Sequence, residues 1–241
     1  MWKESFELID FHTHILAGVD DGSPNIETSL QMLSQLMQQG VDRVVSTSHY
    51  YDFADDIDSF VARRDEALYR LERHIKEHDL YLPDIIPAAE VRIFSGMWQE
   101  PQLDRLCIGD TRNLLVEMPY DHWSDWMYNE IYSLIAKGYT PIIAHIERYV
   151  DMISAKEIAN SLLSLDVMVQ CNASFPLSRH ERRFVKKLLS QGRVVALGSD
   201  CHNMQSRKPD MTKAFDYISR KFGDEYLQYI MKNSLVLIGQ K

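Results

Sequence analysis

The chain has 241 residues, of which 45% are hydrophobic and 25% charged, and a formal net charge of −9. That length allows one barrel, one large α/β domain or two small domains, with the composition of an ordinary globular protein. The acidic balance argues against a general nucleic-acid surface, which needs clustered Lys and Arg, yet it admits an anionic substrate held by local arginines or bound metals.

Short apolar runs alternate with longer amphipathic ones from end to end. Leu8–His14 (LIDFHTH) reads as a strand and Asn25–Gln39 as a helix that stops at Gly40. Val41–His49 is a β-branched second strand and Asp56–His78 a long charged helix. Pro83–Val91 is the third strand, made irregular by Pro87, and Asn113–Met118 the fourth, followed by a helix over Trp123–Lys137. Tyr139–Ile146 is the fifth strand, with a helix near Ser154–Leu165 after it. Val167–Asn172 is the sixth, then a helix over His180–Gln191, and Arg193–Asp200 is the seventh. Helical patterns at Met211–Arg220 and Asp224–Lys232 complete the chain. No repeat, low-complexity tract or linker interrupts this order, so a single domain over 1–241 is expected.

Seven strands alternating with helices predict a parallel sheet covered by helices, either open and doubly wound or closed as a TIM-like barrel. No G-x-G-x-x-G follows the first strand, which removes support from a dinucleotide site. The three cysteines, Cys107, Cys171 and Cys201, are too few and scattered for a disulfide framework. The N-terminal MWKESFELIDFHTH lacks the apolar core of a secretory signal, no apolar run is long enough to cross a membrane, and the tail after Lys232 is short for a targeting extension. A cytoplasmic protein is the expectation.

The polar residues favour the barrel. His12 and His14 stand two apart at the end of the first strand and so project to one side of it. His49 ends the second strand, Glu90 lies near the end of the third, Glu117 near that of the fourth, and His145 ends the fifth. Asp200 and His202 repeat the two-apart spacing after the seventh, so six of the seven strands carry a metal-type side chain at the carboxyl end. In a barrel those ends converge on the face where active sites form. Any one of these residues alone reads more simply as a satisfied core group. Together, mixed His and carboxylate donors suit Zn, Mn or Fe, and they exceed the needs of one ion, which points to two or three metals sharing bridging carboxylates. Arg148 and Arg207, close after His145 and His202, are either surface residues or clamps for a phosphoryl group. Asp20-Asp21-Gly22 is either a turn or a further ligand.

Cys201 and Arg207 also match the C-x5-R spacing of thiolate phosphatases. Such loops need glycine to wrap the phosphate tightly, and the intervening His-Asn-Met-Gln-Ser has none.

The motifs DFHTH, VDDG, STSH, AAEVRIF, LLVEMP, AHIERY and SDCHN with Arg207 resemble those of the PHP superfamily of metal-dependent phosphoesterases. They are most similar to its bacterial protein-tyrosine phosphatases of the CpsB/YwqE type, associated with capsule and exopolysaccharide synthesis. The resemblance implies a distorted (β/α)7 TIM-like barrel with a trinuclear centre. It places His12, His14, Glu90 and Asp200 on one metal, and Glu90, Glu117 and His145 on a second. Asp21, His49 and His202 then hold a third, and Arg148 and Arg207 bind phosphate oxygens. The metals implied are Mn, Fe, Zn or Mg. The substrate implied is a phosphotyrosine segment of a bacterial tyrosine kinase, with no membrane insertion and with a homo-oligomer left open. Within the same superfamily, the competing reading is a phosphatase for a small ester such as histidinol phosphate, and a non-catalytic scaffold is a third.

Overall fold

The computed structural model describes residues 6–150, 152–165, 167–174 and 179–240; the first five residues of the N-terminal stretch read above lie outside it. The architecture is α/β with two parallel sheets. Strands β1 (Ile9–Thr13), β2 (Arg43–Ser46) and β4 (Asp84–Pro87) form a three-stranded sheet in the order β1-β2-β4. Strands β3 (His49–Tyr50), β5 (Glu90–Arg92), β6 (Asn113–Glu117), β7 (Thr140–Ile143), β8 (Met168–Asn172) and β9 (Val194–Gly198) form a six-stranded sheet in that order.

The expected second and third strands are therefore each broken in two. Pro87 has no N–H to continue a ladder, and the pairing stops at it. Hydrogen bonds still carry across the gap, from Ala88 N to Ser46 O at 2.9 Å and from Glu90 N to Ser48 O at 3.1 Å. As a result His49 and Glu90 do not end long strands; they open the short β3 and β5, paired with each other. At the other edge, β1 and β9 meet through one bridge, Thr13 with Cys201, supported by Asp200 N to His12 O at 2.8 Å and His14 N to Cys201 O at 3.0 Å. Pairing is thus not continuous around the strands, and the closed sheet expected of a regular barrel is absent among the described residues.

Helix α1 (Ile26–Gln38) starts where Asn25 accepts the Thr28 N–H, and α2 (Ile57–Glu77) where Asp56 accepts that of Ser59. Their buried positions fall at helical spacing, as in Ile57, Phe60, Val61, Arg64, Ala67 and Leu71 of α2. Helices α3 (Asp125–Ala136), α4 (Ala155–Asn160), α5 (Arg179–Ser190), α6 (Thr212–Phe222) and α7 (Asp224–Leu237) complete the set. Between β5 and β6 the chain makes only two 3-10 turns, Met97–Gln99 and Leu103–Leu106, so strict strand–helix alternation fails there. A large apolar cluster packs the helices on the strands, and a smaller one joins Ile9, Phe11 and Val45 of the first sheet to Leu115, Ile142 and Ala196 of the second. The two sheets therefore share one interior.

Candidate metal centre

The carboxyl ends of these strands bring all nine expected ligand residues together, most of them buried. Glu90 is the hub. Its Oε2 lies 3.0 Å from His12 Nε2, 3.3 Å from His14 Nε2 and 3.2 Å from His49 Nδ1, while its Oε1 lies 2.7 Å from His145 Nε2. Asp200 Oδ1 stands 3.7 Å from His12 Nε2 and 3.5 Å from that of His14. Asp21 Oδ1 stands 3.3 Å from His202 Nε2 and 3.7 Å from His49 Nε2.

Three donor groups emerge in which the candidate atoms all lie within 4.8 Å of one another: His12, His14 and Asp200; His14, Asp21, His49 and His202; and His49, Glu90 and Glu117. The first contains three of the four residues that the resemblance implies for one metal, without Glu90, and the second contains the implied Asp21, His49 and His202 with His14 added. In the third, His49 takes the place expected for His145, whose ring instead meets the far oxygen of Glu90.

The donor chemistry fits cations. His12 Nε2 and His14 Nε2 face each other at 3.0 Å among carboxylates. His49 Nδ1 and His202 Nε2 are buried with no hydrogen-bond partner, a costly arrangement unless a ligand or ion completes it. Burial and the neighbouring Glu90 push the Glu117 carboxyl up to about 7, a like-charge penalty that a bound cation would relieve. Burial also penalises Asp200, but His12, His14 and Arg148 outweigh it and hold that carboxyl well below its ordinary value. Burial and His14 drive His202 down to about 2, so this ring is neutral, the form that ligates metals.

The local backbone is shaped to this purpose. His145 and Asp200 adopt left-handed conformations, φ 31° and 54°, just past the ends of β7 and β9, which turns their side chains into the centre. Gly198 lets β9 approach β1: a Cβ there would fall 2.3 Å from His12 Cβ.

The model of the family described as capsular polysaccharide synthesis, CpsB/CapC, matches residues 8–238. The chain belongs to this family. The tyrosine-protein phosphatase CpsB of Streptococcus agalactiae is 30% identical over 234 residues, 90% of this chain and 92% of its own. The tyrosine-protein phosphatase YwqE of Bacillus subtilis is 26% identical over 241 residues, 96% and 91% of the two chains. A solved structure of the YwqE and CpsB pair from Bacillus subtilis and Streptococcus pneumoniae, described as unique metal-dependent tyrosine phosphatases, superposes with a TM-score of 0.86 at 25% identity, covering 97% and 96%.

In this CpsB/CapC chain the two arginines both close over Asp200. Arg207 Nη2 donates to Oδ1 at 2.6 Å and Arg148 pairs with Oδ2. Arg207 reaches that position because Asn203 Oδ1 accepts the backbone N–H groups of Gln205, Ser206 and Arg207 and curls the loop back. Cys201 is fully buried, and burial together with Asp10 pushes its thiol well above the ordinary range, the reverse of an activated nucleophile.

Several supporting residues escaped sequence reading. Asp20, not only Asp21, belongs to the site: its Oδ2 lies 2.7 Å from His14 Nδ1 and accepts the His49 N–H at 2.8 Å. Such carboxylate–histidine contacts fix the ring and direct its other nitrogen to the metal. The sixth predicted strand, β8, carries no charged ligand but supplies amides. Gln170 Oε1 accepts the His145 N–H at 2.7 Å and lies 3.3 Å from His12 Nδ1, and Asn172 Nδ2 donates to Asp200 at 2.9 Å. Their two-apart spacing matches that of His12 and His14, the signal that would have found them.

Proposed function

We propose that this chain is a metal-dependent protein-tyrosine phosphatase, a phosphomonoester hydrolase acting on a phosphotyrosine segment of a bacterial tyrosine kinase in capsule or exopolysaccharide synthesis. The observation that carries the reading is the junction of three donor groups around Glu90 with Arg148 and Arg207 beside them. The named activity of relatives matched over nearly the whole chain supports it.

In this reading one domain forms a distorted (β/α)7 barrel of the PHP type, the two sheets being parts of one interrupted wall. His12, His14, Glu90 and Asp200 would hold one metal, Glu90, Glu117 and His145 a second, and Asp21, His49 and His202 a third; His49 lies close to Glu90 and Glu117 as well. Two or three ions of Mn, Fe, Zn or Mg would supply Lewis acidity and an activated water for in-line attack on phosphorus. The chain's own residues do the rest. Asp20 and Gln170 orient the histidines. Arg148 and Arg207 release Asp200 and turn to the phosphoryl oxygens, where fixed positive charge stabilises the developing negative charge. Phenolate is a fairly good leaving group, which lessens the demand for a strong acid.

Three buried free cysteines suit a reducing compartment, and a cytoplasmic setting follows in this reading. Among the described residues no helix is long and apolar enough to cross a membrane.

The deciding experiment measures metal content per chain and phosphotyrosine-peptide hydrolysis on one preparation, before and after chelation, with Cys201→Ser alongside. Chelation should abolish turnover and Cys201→Ser should retain most of it. Activity that survives exhaustive chelation but vanishes in Cys201→Ser would sink the reading.

A further inference from the structure

The metal centre opens to solvent along a row of aromatic rings. The His49 ring stacks on Tyr51 with centroids 5.2 Å apart and planes at 19°, and Tyr51 stacks on Phe53 at 5.5 Å and 18°. Phe53, at the outer end, is 82% exposed. At that exposure most of the Phe53 ring is open to a ligand. Beside this row lies a crevice of about 250 Å³ walled by His49, Tyr51 and Ala54 on one side and Val19, Asp20 and Asp21 on the other. It is continuous with the centre, because His49 and Asp21 belong to both.

We propose that Tyr51 and Phe53 form an arene-binding subsite that selects aryl phosphate esters over alkyl ones. The inference rests on the phosphatase reading for its substrate and names the group that reading leaves unplaced. In an aryl phosphate the ring begins one bond beyond the bridging oxygen. With phosphorus at the metals, the ring falls at the depth of Tyr51 and the rest of a tyrosine side chain continues towards Phe53. Stacked or edge-on contacts at these separations are favourable for an arene and unavailable to a short alkyl chain. The crevice has the scale of a single ring rather than of a folded partner, and its charged lining is acidic, Asp20, Asp21 and Asp55 against an Arg63 already paired with Asp55. Selectivity would therefore come from the rings and not from net charge.

The test measures binding of phenylphosphonate and methylphosphonate, which cannot be hydrolysed, to metal-loaded wild type, Phe53→Ala, Tyr51→Leu and Tyr51→Phe, with metal content determined for each. Wild type should prefer phenylphosphonate. Phe53→Ala and Tyr51→Leu should each lose about threefold to tenfold of that preference, the scale of one aromatic contact. Tyr51→Phe should keep it, and methylphosphonate affinity and metal content should hold throughout. A wild type without aryl preference, or a preference that persists in both truncated variants, overturns the proposal. An aryl preference that depends on these rings in a protein unable to hydrolyse phosphotyrosine would leave the subsite standing and remove the phosphatase reading instead.

Discussion

Two of the molecule's concavities contrast. The larger, about 800 Å³, lies between α2 and the segment around Leu103–Arg112 and is lined by Arg64, Arg105 and Arg112 with Asp65, Asp104 and Asp110. Each of those arginines already has a partner: Arg64 with Asp65, Arg105 with Asp58, and Arg112 with Asp104 and the Tyr139 ring. The metal centre is smaller and the reverse in character. Its donors converge on one another, two histidine nitrogens lie beside carboxylates without a hydrogen bond to them, and the backbone just past two strand ends is left-handed. Volume does not mark the site; the convergence of buried donors with strained backbone beside them does.

The contrast can be broken most sharply at Asp200. Asp200→Asn keeps a residue that tolerates the left-handed backbone but removes the charge shared by His12, His14 and both arginines. Phosphotyrosine hydrolysis should fall more than about a hundredfold, beyond the loss typical of an outer-shell partner, with metal content reduced. Near-normal activity would mean that the centre is misassigned. Asp20→Asn should cost about tenfold to a hundredfold in metal affinity, seen in metal titration, because His14 loses the carboxylate that orients it.

A third variant separates stability from chemistry. Glu147 is buried beside Asn172, and burial raises its carboxyl from 4.5 to about 7. A group raised in the folded state binds its proton more tightly there than when unfolded. Its contribution is fully present below pH 4.5 and lost as pH rises through about 7. Glu147→Gln removes that loss, so denaturant titration should show little change at pH 4.5 and a gain of up to roughly 3 kcal/mol at pH 8. An equal change at both pH values would refute the buried-acid account. Least affected should be Arg105→Ala in the larger concavity, with kcat/KM for phosphotyrosine peptide within about twofold of wild type, since exposed ion pairs contribute little.

Much of this was readable from the chain. Asn25 and Asp56 announce their helices because a side-chain acceptor at an N-cap is a local device that needs no tertiary partner. His12, His14, Asp200 and His202 stood out because charge at the end of an apolar strand is expensive and therefore informative. Gln170 and Asn172 did not, since an amide costs less to bury than a charge and, beyond their two-apart spacing, their role depends on which neighbour the fold supplies. Asp20 was hidden by Asp21: two adjacent carboxylates in a turn look alike, and only the positions of His14 and His202 assign one to each ring. Pro87 signals the break before Glu90, whereas the break before His49 follows from pairing between distant segments, which periodicity along one segment does not encode.

The bridge between Thr13 and Cys201 has a consequence for how the protein is made. It joins the first strand to the last, and Asp200 contributes to the same donor group as His12 and His14. Contacts of such sequence separation carry a large loop-closure cost and form late. A chain still emerging from synthesis, with β9 unmade, holds the two N-terminal histidines beside Asp20 and Glu90 but without Asp200. Completion of the candidate donor set is therefore tied to docking of the last strand against the first, and a metal that needs Asp200 would bind only after that docking.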